Sequence, residues 1–122
     1  MGLEVVEEKD FVHVKFTGVL TREDLVEVGV VADRIERGRE RIPHRLADLR
    51  AVNEVQIRYE DVRELADARR VLQFPNAFKS AILVANPVQS GMARMFRTLN
   101  DNPQIHLEVF EDEAAALAWL RS

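Results

Sequence analysis

Ser80-Ala81-Ile82-Leu83-Val84-Ala85 is an uncharged run of strand length, and Asn86-Pro87-Val88-Gln89 follows it at once. A continuous apolar run of that length predicts a strand covered on both faces, and hence the central strand of a sheet between helices. The four residues after it specify a helix start. Asn86 suits the N-cap, Pro87 the first helical position and Gln89 the third. Val88, Met92, Met95, Phe96 and Leu99 then fall on one helical stripe, and Asn100-Asp101-Asn102-Pro103 stops it.

The same pattern extends in both directions. Downstream, Ile105 to Phe110 reads as the last strand, and Asp112 caps a helix containing Ala114 to Leu120. Upstream, Tyr59 to Leu72 places Val62, Leu65, Ala66 and Arg69 in helical register, with Arg63 and Asp67 paired at i,i+4 on the polar side. Arg45 to Arg50 is a strand, with Leu46 and Asp48 on one face and Ala47 and Leu49 on the other. Thr21 and Asp24 form an acidic capping box for a helix over Arg22 to Arg37, which Gly38 ends. Leu3 to Glu7 and Phe11 to Phe16 make an N-terminal hairpin that Gly18 closes. The predicted order is β-β-α-β-α-β-α-β-α. That implies an α/β fold with a mainly parallel five-stranded sheet, an antiparallel N-terminal edge strand and about four helices.

Composition bounds the function. A chain of 122 residues fits one domain over 1–122. With no cysteine, thiolate metal sites, disulfides and a cysteine nucleophile are all excluded. A formal charge of −4 argues against general binding of nucleic acid, and Arg34 to Arg45 is the one local basic run. The acidic start lacks a signal-peptide pattern, and no run is long and apolar enough to span a bilayer. A cytoplasmic protein is the expectation.

Three segments carry a family likeness: Val14-Lys15-Phe16-Thr17-Gly18-Val19-Leu20-Thr21, Arg45-Leu46-Ala47-Asp48-Leu49-Arg50, and Gly91 to Pro103. With the terminal Ala116-Leu117-Ala118-Trp119-Leu120, the chain resembles the STAS-like (SpoIIAA-like) domains of bacteria, in particular stand-alone members of uncharacterised function. The resemblance implies a right-handed βα superhelix, shared in outline with lipid-exchanging CRAL-TRIO domains. It implies no reaction. In the anti-sigma-factor antagonists of this fold, a phosphorylated serine opens the helix after the Asp-Leu strand. Here that region, Val52 to Glu60, holds neither serine nor threonine.

No constellation for catalysis stands out, so the chain reads as a non-enzyme needing no cofactor. Ser80, Ser90 and Ser122 lie in no nucleophile turn, and His13, His44 and His106 are dispersed without metal-ligand spacing. Ser90 sits near a helix start, where a phosphate meets free N–H groups; it is equally an ordinary first-turn serine. Arg94 and Arg97 are helical neighbours suited to carboxylate or phosphate, or to surface ion pairs. Ligands on open α/β sheets gather at the carboxyl ends of strands. Asp48, Asn86, Ser90, Arg94 and Arg97 are therefore the candidate partner or ligand surface. The leading expectation is a regulatory module that binds a protein, a homodimer included. The alternative is a carrier or sensor of a lipid or other apolar molecule, which needs a cavity of about 300 Å³ or more.

Overall fold

The computed structural model describes residues 2–122. In chain order its elements are β1 (Gly2–Glu7), β2 (Phe11–Thr21), α1 (Arg22–Glu36), β3 (His44–Gln56), α2 (Tyr59–Arg70), β4 (Phe78–Leu83), α3 (Pro87–Leu99), β5 (Ile105–Phe110) and α4 (Glu113–Leu120). The element order is the predicted one. Local chemistry sets most boundaries. The Asp24 carboxylate accepts from both the backbone N–H and the hydroxyl of Thr21, at 2.7 and 2.9 Å, and so fixes the start of α1. Asn86 accepts from the Gln89 N–H at 3.0 Å and Asp112 from the Ala115 N–H at 3.3 Å, each satisfying a donor that a helix start leaves free. Gly38, at φ +72, turns the chain out of α1.

The five strands lie in the order β1-β2-β3-β4-β5, with β1 antiparallel to β2 and every other pair parallel. The alternation of side chains divides the core in two. Val12, Val14, Phe16, Leu49 and Ile82 point to one face and pack under α1, α2 and α3. Phe11, Leu46, Ala81 and Leu83 point to the other, under Ala116 and Leu120 of α4 alone. Three helices therefore cover one face and a single short helix the other.

Four expectations are corrected. Gly18 does not close β2: at φ +82 it takes up a register shift, and the strand continues to Thr21. β3 does not end at Arg50 but runs to Gln56, because Ala51 to Gln56 goes on pairing with β2 after β4, which reaches only Asp48, has left the sheet. The middle strand is thus β3, with β4 beside it; β4 runs from Phe78 to Leu83, two residues earlier than the uncharged run Ser80 to Ala85, and is covered on both faces. On α3 the buried residues are Gln89 and Ala93, with Met92, Met95, Phe96 and Leu99 packed at the margin, whereas Val88 is 64% exposed.

Candidate functional site

The residues singled out in the sequence fall into separate places. Asn86 and Gln89 form one knot at the carboxyl end of β4. The Gln89 side chain accepts from the Ala85 N–H at 2.8 Å and donates to the Val52 carbonyl at 3.1 Å, tying the entry of α3 to the middle strand. On the surface of α3, Arg94 donates to the Ser90 hydroxyl at 3.1 Å, and Arg97 pairs with Glu108 of β5 at 3.2 Å. Asp48 lies on the opposite face of the sheet. Its carboxylate accepts from the Arg50 backbone N–H and guanidinium, at 2.9 to 3.0 Å, and lies 3.6 Å from His13 Nε2. Arg50 reaches on to Glu113 at the start of α4. Burial raises the Asp48 pKa, but the hydrogen bonds and charge of Arg50, with His13, outweigh it and hold the carboxyl below its usual value.

A second polar cluster, which the sequence reading did not assemble, sits at the amino end of the parallel strands. The last turns of α1, α2 and α3 meet there. Glu36, from the end of α1, accepts from Arg45 at the start of β3 at 2.7 Å and from both terminal nitrogens of Arg69 at the end of α2. All three side chains are buried. Arg45 also stacks on the Phe78 ring, 4.6 Å from its centroid. Burial pushes the Arg45 guanidinium down to about 10 against the opposing pull of Glu36, so it stays charged at neutral pH. Two cations on one carboxylate leave the cluster with one excess positive charge.

Beside this cluster, between the sheet and the three-helix layer, lies a half-open apolar cavity of about 140 Å³. Every residue lining it is buried or half-buried. Its floor is Ala47, flanked in register by Val14 of β2 and Ile82 of β4, and Leu25, Val28, Leu65, Met92 and Phe96 line it on the helix side. Ala47 is the origin of the space. Although it sits on the middle strand under three helices, it is only half-buried, since a methyl group does not reach the helix layer. Arg45, Arg69, Ser80 and Asn100 supply the polar end of the lining. There Arg45 Nε and both side-chain atoms of Asn100, Nδ2 and Oδ1, are buried without a hydrogen-bond partner. A signal for this cluster was present in the sequence: Arg69 stands on the apolar stripe of α2, and Arg45 alternates with Ala47 and Leu49 on the inner face.

A family model described as a domain of unknown function, DUF7793, matches residues 8–122. The chain belongs to DUF7793. Among solved structures, this DUF7793 chain is similar to an uncharacterised protein of the DUF3478 family with a SpoIIAA-like fold from Shewanella loihica PV-4. The two share 20% identity at a TM-score of 0.62, over 98% of this chain and 92% of the other. At that identity the likeness establishes the fold alone, and the fold of this DUF7793 member is SpoIIAA-like. No curated protein matches the chain. No helix among the described residues is long and apolar enough to cross a membrane.

Proposed function

We propose that this chain is a non-catalytic binding module whose ligand seat is the cavity between the sheet and helices α1 to α3. The observation that carries this reading is the cavity itself. It is a half-open recess that the side chains of the core leave unfilled. A space of about 140 Å³ lined by aliphatic and aromatic side chains is close to the roughly 150 Å³ known to admit benzene or xenon. It is less than half of what a membrane lipid or other large ligand needs, so the alternative read from the sequence narrows to a small molecule with an apolar body.

A regulatory role follows from which helix lines the seat. The inner face of α1 contributes Leu25, Val28, Val31, Ala32 and Ile35 to the lining, while its outer face carries Val26 and Val30, one turn apart and 56% and 47% exposed. A ligand that shifts α1 therefore changes an apolar pair available to a protein partner, a second copy of the chain included. The polar groups suggested as a partner surface, Asp48, Asn86, Ser90, Arg94 and Arg97, are held in pairs within the chain, which suits a positioning role.

The test is uptake of a neutral apolar molecule. Benzene added to the purified protein raises the melting temperature in a concentration-dependent way, because a ligand that binds only the folded state stabilises it. An Ala47→Leu variant, whose larger side chain fills the space, melts as high as the parent or higher and no longer responds. A benzene-indifferent parent, together with a xenon-pressurised crystal lacking xenon at Ala47, overturns the reading.

A further inference from the structure

The polar end of the cavity specifies more than an apolar guest. Arg45 and Arg69 share one carboxylate, Glu36, and their ion pairs among the described residues run to no other acid. A buried charge is stable only when paired and hydrogen-bonded, and this cluster carries one cation more than it carries anions. Two groups lining the same cavity also have unused donors. Arg45 Nε and Asn100 Nδ2 are buried and unpartnered, in side chains more than nine-tenths withdrawn from solvent. Ser80 stands beside Arg45 in the β3–β4 register and adds a hydroxyl to the lining, free to turn as donor or acceptor. An excess positive charge therefore lies beside an apolar space the size of a six-carbon ring or chain, and the unused N–H groups sit in its wall, where a ligand reaches them once the side chains turn.

We propose that the ligand is a small monocarboxylate, its body of about six carbons against Val14, Ala47, Ile82 and Phe96 and its carboxylate taken by Arg45 and Asn100, whose side chains turn toward it on binding. This rests on the cavity being a ligand seat, and adds to that reading the chemical class of the head group. One competing account exists on the same geometry. The carboxyl-terminal ends of three helices converge on the cluster, and their partial negative charge offsets part of the excess cation. That account predicts no preference for an anion and leaves the Arg45 and Asn100 donors unused. The two accounts make opposite predictions for matched ligands.

The experiment compares pairs that differ only at the head group: benzoate against benzyl alcohol, and hexanoate against hexanol, titrated into the full chain and followed by calorimetry and by side-chain N–H resonances. The carboxylate of each pair binds about tenfold tighter than its alcohol, as charge-assisted bonds exceed neutral ones, and shifts the Arg45 Nε and Asn100 Nδ2 signals. Whichever carboxylate is preferred tells a flat aromatic body from a linear one. Asn100→Leu, an apolar replacement expected to fold, loses about tenfold for the carboxylates and little for the alcohols. Asn100→Asp, which sets a like charge beside the head group, loses more. Equal binding of carboxylate and alcohol overturns the proposal while the ligand seat stands. Binding of neither member, with benzene also refused, removes the seat itself. A carboxylate preference that survives both Asn100 variants and leaves the Arg45 signal unmoved places the anion elsewhere and likewise overturns the proposal.

Discussion

Gln89 and Asn100 are both carboxamides on α3, both at least 94% buried, and they stand at opposite ends of the same helix. Gln89 uses its oxygen and its nitrogen on backbone groups of two other segments. Asn100 uses neither. The carboxyl end of the sheet is thus a closed hydrogen-bond account, in which Asn86, Gln89 and the Val52 carbonyl satisfy one another. The amino end is open, with Asn100, Arg45 Nε and an unbalanced cation beside an apolar space. Two amides of comparable burial therefore differ in how many of their polar atoms find partners.

The largest effect that would sharpen this contrast comes from the buried ion cluster. Glu36→Gln removes the only carboxylate between two buried guanidiniums and costs about 3–5 kcal/mol by urea denaturation, as expected when one partner of a buried pair is taken away. A cost below about 1 kcal/mol would show that the cluster relaxes into water and would break the comparison. Next comes the pair of amides. Gln89→Leu strands the Ala85 N–H and the Val52 carbonyl and costs about 2–4 kcal/mol, whereas Asn100→Leu removes atoms that had no partner and is neutral or stabilising in the ligand-free protein. Equal losses at the two positions would mean that Asn100 is satisfied in solution.

The smallest effect is the pH response of Asp48. Its carboxyl titrates below its unfolded value, so the stability it lends is fully present above the unfolded pKa of about 3.9 and is lost as pH falls through the folded pKa. Asp48→Asn flattens that part of the acid unfolding curve and leaves the curve near neutrality parallel to the parent's. An unchanged acid limb would mean that Arg50 does not hold the carboxylate in solution.

The closed end of the molecule was legible in the sequence, and the open end was not. Asn86 and Pro87 act through neighbours in the chain, so spacing alone announces them, and the same holds for Thr21 with Asp24, for Asp112 and for the bond of Gln89 to the Ala85 N–H, though not for its bond to Val52. The length of β3 escaped because Ala51 to Gln56 has only one neighbour strand and crosses a register shift, which destroys the two-residue alternation that marks a half-buried strand. The cavity escaped for a different reason. Ala47 reads the same in a sequence whether its methyl meets a side chain or a void, and only the distance between layers decides. Glu36 and Arg45 flank one connection and Asn100 comes from far along the chain, and no helical or strand spacing connects the three. Arg69 on the apolar stripe of α2 and Arg45 in alternation with Ala47 and Leu49 were the local hints that charges had been drawn inside.

The spatial sequence of the strands is also their sequence along the chain. Each new strand emerging during synthesis finds its neighbour already in place, and no gap is left for a later segment to fill. Only the β1–β2 hairpin closes through a short turn; each parallel pair, such as Arg45 with Ser80, closes across a whole helix and forms more slowly. The pocket is finished late in that progression, since its roof awaits α3 and its lining awaits Ile105 and Leu107 of β5.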